Sequence, residues 1–284
     1  MHILKTIDEI GMWRKSIDSQ PCAAIFTMGA LHEGHIELIN VARKHTRDVT
    51  GRDPAVVVSV FVNPTQFSDP GDLESYPRSL ETDIAKCRSA GVDAVFAPSV
   101  QQMYPEMLQV SIEPGPLGST LEGRSRAGHF SGVLTVVNKL LNLTQPNQAY
   151  FGEKDYQQLT LISVMARELN LPYEIVGVPT VRESDGLAMS SRNNRLSAEG
   201  RLVALNIPQA LYKIRDEVDS GVALQQALEG ARKYLDQQPG VELDYLVSAG
   251  TQLQETPSVG AVRILVAATV EGIRLIDNIE LEIS

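Results

Sequence analysis

The sequence predicts an α/β protein: a parallel, doubly wound sheet followed by a smaller α+β module. Up to about Thr180, short apolar runs of strand length alternate with stretches of helical periodicity, the βαβ grammar of a parallel sheet. One of those runs, Ala55 to Val62, is apolar on both faces, as a central parallel strand is. Beyond about Asn193 the pattern changes to two helices followed by three strands, so a domain boundary is expected near Val178, dividing residues 1–178 from 179–284.

Taken in order, a first helix is expected near Asp8 to Ser19. Strands are expected at Ala23 to Thr27, Ala55 to Val62, Ala94 to Ala97, Gln148 to Phe151 and Glu174 to Val178. Helical patterns intervene at Ile36 to Lys44, Leu80 to Ala90, Val133 to Leu143 and Tyr156 to Leu169. The later module reads as helices Ala198 to Val218 and Ala223 to Gln237, then strands Leu243 to Val247, Ala261 to Ala268 and Ile273 to Ile276. No internal repeat is evident. In doubly wound sheets ligands sit beyond the carboxyl ends of the strands, and nearly every polar cluster of this chain falls at such an end.

Composition narrows the function classes. With 284 residues the chain can bury a substantial core, as one large domain or two unequal ones at roughly 100–200 residues per domain. Lys+Arg 25 against Asp+Glu 35 gives a net charge of −10. That balance is wrong for sequence-independent nucleic-acid binding, which rests on many Lys/Arg–phosphate contacts. It is compatible with ATP where positive groups gather locally. Cys22 and Cys87 are far apart and form no Cys-x-x-Cys element, which favours a reducing compartment over a disulfide or zinc framework. The first residues lack the apolar region of a signal peptide, and no apolar run reaches about 18 residues, so a cytoplasmic protein without a membrane span is expected.

The stretch Ala24 to Ile39 is the centre of the functional reading. A strand-like run gives way to a loop with Gly29, Gly34 and two histidines three apart, His32 and His35, and then to helical spacing at Leu38, Ile39 and Ala42. Backbone N–H groups and a helix N-terminus at the end of a strand suit phosphate. Imidazoles beside them donate to phosphate oxygens as charge builds there. A His-x-x-His pair by itself also occurs on solvated turns or at incidental metal sites; its strand-to-helix setting points to a nucleotide.

Three further clusters follow. Asn63-Pro64-Thr65-Gln66-Phe67 halts the second strand at a proline and leaves two neutral amides near the sheet's end, either a structural turn or a grip for a small polar substrate. Tyr150 to Gln158 contains Gly152 for a tight turn, Asp155 near a helix start and Lys154, which is either solvated or aimed at an anion. Thr180 to Asn193 places two serines and an arginine in sequence beyond an Asp185-Gly186 turn, either for phosphate or as a linker to a helix capped by Ser197. Between these lie Tyr76-Pro77-Arg78, Asp83 and the glycine-bearing segment Leu121 to Phe130. That segment reads by default as a solvated loop, with a movable wall carrying Arg126 as the alternative.

Together these clusters resemble one family, the pantothenate synthetases or pantoate–β-alanine ligases. The matching segments are Thr27-Met28-Gly29-Ala30-Leu31-His32-Glu33-Gly34-His35, Phe61-Val62-Asn63-Pro64-Thr65-Gln66-Phe67, Phe151-Gly152-Glu153-Lys154-Asp155-Tyr156-Gln157-Gln158 and Asp185-Gly186-Leu187-Ala188-Met189-Ser190-Ser191-Arg192-Asn193. They stand in the family's order and approximate spacing, and the likeness runs on to Arg274-Leu275-Ile276-Asp277-Asn278. The resemblance implies a Rossmann-like nucleotidyltransferase domain with a small C-terminal domain partly covering the site, and a homodimer. The implied reaction condenses (R)-pantoate with β-alanine, cleaving ATP to AMP and diphosphate through a pantoyl adenylate.

Residue roles follow from the same resemblance. Met28, Gly29, Ala30, Leu31, His32, Glu33, Gly34 and His35 are implied to contact ATP, with His35 at the family's proton-donor position and His32 catalytic beside it, both stabilising charge on the phosphate. Gly152, Glu153, Lys154, Asp155, Val181, Met189, Ser190, Ser191 and Arg192 are implied to complete the ATP site, with Lys154 also catalytic. Gln66, Gln158 and Met28 are implied to hold pantoate, with Gln66 also reaching β-alanine. Mg²⁺ is expected on phosphate oxygens and water, not on a protein metal site.

Some positions depart from the family's pattern. Phe26 replaces a common proline, Gly51 to Pro54 lengthens a connection, and Thr82 stands at a position often acidic. Two other readings are a nucleotidyltransferase acting on another small acceptor and a non-catalytic nucleotide sensor. Neutral Gln66 and Gln158 argue against a phosphorylated acceptor, and the His32, His35 and Lys154 set argues against a sensor.

Overall fold

The computed structural model describes residues 1–67, 70–76 and 79–283, so Pro77 and Arg78 of the cluster named above lie outside the described residues. The chain falls into two units: Met1–Glu153 with Gln157–Pro179, and Lys154–Tyr156 with the residues from Thr180 on.

The first unit is built on β1 (His2–Leu4), α1 (Ile7–Ser16), β2 (Cys22–Thr27), α2 (Glu33–Thr50), β3 (Ala55–Val60), α3 (Pro70–Ser75), α4 (Leu80–Ser89), β4 (Ala94–Phe96), α5 (Val100–Met103), α6 (Glu122–Ser125), α7 (His129–Thr144), β5 (Gln148–Gly152), α8 (Tyr156–Glu168) and β6 (Glu174–Val178). The strands form one parallel sheet in the order β1-β4-β3-β2-β5-β6. Side chains of the central strands alternate between two apolar layers, as the two-residue period of a strand requires. Cys22, Ala24, Val57 and Ala149 pack with Trp13, Leu141 and Ile162 of α1, α7 and α8. Ala23, Ile25, Val56, Val58 and Tyr150 pack with Ile39 and Ala42 of α2 and Cys87 of α4. This is the Rossmann-like, doubly wound sheet expected. After β2 the chain winds toward β3 and β4, whereas β5 and β6 lie on its other side, so the switch point falls between β2 and β5. Ligand crevices open at the carboxyl ends of such a pair.

The second unit contains α9 (Ala198–Ala204), α10 (Asn206–Asp219), α11 (Leu224–Asp236), β7 (Glu242–Gly250), β8 (Gly260–Val270) and β9 (Ile273–Ile283). Its strands form an antiparallel sheet in chain order. Leu211, Ile214, Leu228 and Leu235 of α10 and α11 bury against Ile264, Val266 and Ala268 of β8. Glu271 and Gly272, both at positive φ (51° and 72°), make the two-residue connection whose backbone matches the strand twist.

The sequence-based boundaries shift in physically explicable ways. The helix expected from Ala198 to Val218 is two helices, because Pro208 in the first turn of α10 cannot donate to the preceding turn. α2 begins at Glu33, not near Ile36, so Gly34 and His35 lie inside the helix and His32 is its N-cap. α7 begins at His129, four residues before the expected Val133. The edge strand β1, three residues paired with β4, is too short to show a period and was not anticipated. Among the described residues no helix is long and apolar enough to cross a membrane.

Candidate active site

The loop leaving β2 is held from beneath by side chains of its own unit. Thr27 Oγ1 donates to the Ser59 carbonyl at 2.8 Å and accepts the Gly29 N–H at 3.2 Å. The buried carboxylate of Asp83 on α4 accepts two consecutive amides, Ala30 N–H on Oδ2 at 3.0 Å and Leu31 N–H on Oδ1 at 2.8 Å. One turn later, Lys86 Nζ donates to the Leu31 carbonyl at 2.5 Å. Gly29 sits at φ +88°, and a Cβ there would lie 2.9 Å from Asp83 Oδ2 and 3.2 Å from Val60 Cγ1. The loop needs glycine both for its backbone angle and for this close approach. Leu31 itself is buried, and both polar groups of its main chain are held by α4.

At the helix start the two histidines lie against each other, ring centroids 4.1 Å apart and planes tilted by 46°. The His32 N–H donates to His35 Nδ1 at 3.2 Å. A backbone amide can only donate, so Nδ1 of His35 is an acceptor and its proton resides on Nε2 when the ring is neutral. The sequence therefore places a defined N–H donor in the first turn of α2, beside the positive end of the helix dipole. Phe26 keeps its place in β2, edge-on to Phe151 at 6.0 Å.

At the end of β3, Asn63 is buried and organises the Gln66 turn. Its Oδ1 accepts Thr65 Oγ1 at 2.9 Å and the Tyr104 hydroxyl at 3.0 Å, and its Nδ2 donates to Gln66 Oε1 and to the Gly132 carbonyl, both at 3.2 Å. Burial pushes the Tyr104 phenol above its ordinary value, keeping it a donor. Gln66 Nε2 in turn reaches Met28 Sδ at 2.8 Å, which brings together two of the residues implied to hold pantoate. α7 approaches so closely that a Cβ at Gly132 would lie 2.3 Å from the Thr65 carbonyl oxygen.

The segment Leu121 to Phe130 is solvated, as expected by default, only in its middle, where Arg124, Ser125, Ala127 and Gly128 are exposed. Glu122, Gly123, His129 and Phe130 are buried, and α6 occupies its first half. Gln157 causes this: its Oε1 accepts the Glu122 N–H at 3.0 Å, and its Nε2 donates to the Leu117 and Thr120 carbonyls at 2.8 and 2.9 Å. Arg126 Nη1 donates to His129 Nε2 at 3.0 Å, so His129 Nδ1–H donates to the Gln66 carbonyl at 2.8 Å. Gln158, the next residue after Gln157, is half-buried, as are Gly152 and Glu153 at the end of β5.

In the second unit, Lys154 is largely buried, its side chain 19% exposed and its Nζ 3.8 Å from Asp155 Oδ2. Residues 181–189 form a short hairpin: Met189 N–H donates to the Val181 carbonyl at 2.9 Å, Arg182 pairs with Ala188, and Gly186 turns at φ +95°. Arg182 staples it to β9 through a bidentate pair with buried Asp277, at 2.7 and 3.0 Å. Burial works to push the Asp277 carboxyl up, against the hydrogen bonds and charge of Arg182. Ser190 then caps the turn Ser191–Arg195 by accepting the Arg192 N–H at 3.3 Å, and Ser190, Ser191 and Arg192 are half-buried. Ser197 does cap the next helix, accepting the Gly200 N–H at 2.9 Å.

The structure thus gathers Met28, Gly29, Ala30, Leu31, His32, Glu33, Gly34, His35 and Gln66 at neighbouring strand ends of the first unit. It places Lys154, Asp155, Val181 and Met189 to Arg192 in the second unit. Sequence reasoning missed the supports: Asp83 as the clamp of the loop, His129 under Gln66, and Asp277 under the hairpin. A lone carboxylate or histidine inside a helical or strand pattern gives no sign of its distant partner. Among the described residues no three His, Cys, Asp or Glu side chains gather as a metal site.

Comparison with known proteins matches residues 2–280 to the family model described as pantoate-beta-alanine ligase. The chain is 51% identical over 257 residues to the pantothenate synthetase of Nocardia farcinica, covering 90% of this chain and 78% of that one. It is 47% identical over 279 residues to that of Corynebacterium jeikeium, covering 98% and 89%. Among solved structures, a pantothenate synthetase from Thermus thermophilus superposes with a TM-score of 0.90 at 43% identity, covering 98% of this chain and 99% of that one. A pantoate-beta-alanine ligase from Francisella tularensis, complexed with beta-gamma ATP and beta-alanine, gives 0.80 at 37% identity, covering 98% and 97%.

Proposed function

The chain belongs to the pantoate–β-alanine ligase family, and from that premise we propose how its own residues carry the reaction. It is an ATP-dependent carbon–nitrogen ligase that forms the amide bond of pantothenate from pantoate and β-alanine. In the first step a pantoate carboxylate oxygen attacks the α-phosphorus of ATP, the bond to the β-phosphate oxygen breaks, and diphosphate leaves. In the second, the β-alanine amine attacks the acyl carbon of pantoyl adenylate, the acyl–oxygen bond breaks, AMP leaves and the amine loses its proton.

The observation that carries the assignment is the His32 N–H to His35 Nδ1 hydrogen bond, which puts the proton of the neutral ring on Nε2, and that N–H is assigned as the donor to charge developing on phosphate. With it act Met28 to Gly34, Gly152 and Glu153 as the ATP-contacting segments, together with Lys154, Asp155, Val181, Met189, Ser190, Ser191 and Arg192. Lys154 and Arg192 supply positive charge to an otherwise acidic chain. Gln66, Gln158 and Met28 hold pantoate, with Gln66 also at β-alanine. Neutral amides fix hydroxyls and a carboxylate without neutralising the attacking oxygen. Mg²⁺ enters on the nucleotide phosphates; Asp83, the carboxylate under the loop, already accepts two amides. The family resemblance further supports a homodimer, and two buried thiols without a disulfide suit a cytoplasmic setting.

The test is an AMP-release assay with purified protein and MgATP, adding pantoate alone, β-alanine alone and both. AMP release only with both substrates, and pantoate-dependent ATP–diphosphate exchange without β-alanine, are the expected results. Turnover with β-alanine absent, or exchange independent of pantoate, contradicts the adenylate sequence.

A further inference from the structure

Asn278, in the middle of β9, is buried to 3% exposure and carries no role in the reaction as described so far. A buried amide persists where both its ends are satisfied, and here only one orientation satisfies them. Arg263 Nη1 can only donate, and it donates to Asn278 Oδ1 at 3.2 Å. The Nδ2 group must therefore face the other way, where it donates to the main-chain carbonyl of Lys154 at 3.0 Å. Arg263 is fixed in its turn: it is 6% exposed, its guanidinium lies 4.0 Å over the Tyr156 ring, and Nη2 donates to Glu280 at 2.7 Å. The Tyr156 hydroxyl donates to the Thr251 carbonyl at 2.7 Å. Neighbouring positions on two paired strands thus grip the backbone of residue 154 and the ring of residue 156.

A lysine side chain has four rotatable bonds, so where its ammonium can reach depends on how firmly its main chain is held. We propose that Asn278 is a positioning residue for adenylate formation, fixing the Lys154 main chain so that the ammonium meets the ATP phosphates. The inference rests on the phosphate role assigned to Lys154. Arg263 and Tyr156 set the orientation of the Asn278 amide and of the turn it holds.

The test is a double-mutant cycle read by rapid-quench single-turnover formation of pantoyl adenylate, with wild-type enzyme, Asn278→Ala, Lys154→Ala and the double variant. Asn278→Ala is expected to slow adenylate formation roughly ten-fold with the KM for pantoate within about two-fold, and to slow the Lys154→Ala enzyme by less than about two-fold, because the residue it positions is already gone. A wild-type rate in Asn278→Ala, or the same slowing in both backgrounds, overturns the proposal. Asn278→Asp, isosteric with asparagine and still an acceptor for Arg263 but with no N–H for the Lys154 carbonyl, gives the same comparison if the alanine variant fails to fold. A wild-type rate in Lys154→Ala alone overturns the Lys154 assignment, and the proposal with it.

Discussion

Asp83 holds Leu31: its Oδ1 accepts the Leu31 N–H at 2.8 Å from α4, fifty-two residues away in sequence, while Oδ2 accepts the neighbouring Ala30 N–H. The loop after β2 is thus held in shape by a side chain of its own unit. Asp83→Asn removes one acceptor and turns an amide N–H toward a backbone N–H. Hydrogen bonds to a charged group are worth about 1.5–3 kcal/mol, so a loss of that order is expected in chemical denaturation, together with a raised KM for ATP. An unchanged denaturation midpoint and KM would show that the loop holds its shape without the clamp.

Gly29 tests the same loop from the backbone side. With φ at +88° and a virtual Cβ 2.9 Å from Asp83 Oδ2, alanine has neither the angle nor the room. Gly29→Ala is expected to destabilise the fold by more than about 1 kcal/mol and to weaken ATP binding measured by calorimetry. Equal stability and affinity would mean that the loop rearranges at little cost.

The doubly wound sheet and the residues at its strand ends were legible in the sequence because both are local. Ala55 to Val60 announces a central strand by its apolar run, and Gly29 and His32 lie within a few residues of the strand and helix they join. What was not legible depends on distant partners. Nothing in the sequence around Asp83 points to the loop fifty-two residues away, and His129, the first residue of α7, has its two nitrogens met by Arg126 and the Gln66 carbonyl. The default loop reading of residues 121–130 holds for the exposed middle but not for the start, where Gln157, thirty-five residues after Glu122, accepts the Glu122 N–H. The break between α9 and α10 was readable in principle from Pro208, and the apolar periodicity on either side concealed it.

The two cysteines are structural. Burial pushes the Cys22 thiol up to about 12 and the Cys87 thiol up to about 11, and both lie in the apolar layers of the sheet. A thiol reacts as its thiolate, so the native enzyme at pH 8 is expected to be inert to a chromogenic disulfide reagent and to retain activity in its presence. Two thiols should titrate once guanidinium unfolds it. Rapid modification of the folded enzyme would contradict the burial described.

The central claim is that His35, set by the His32 amide, donates to the phosphate as pantoyl adenylate forms. The most direct measurement is a rapid-quench burst of adenylate from α-labelled ATP and pantoate, without β-alanine, in wild-type enzyme and His35→Ala. A burst slowed at least about 10²-fold in the variant, with folding and ATP binding retained, is the predicted result. A burst at the wild-type rate would contradict the role of His35 while leaving the family and the fold untouched.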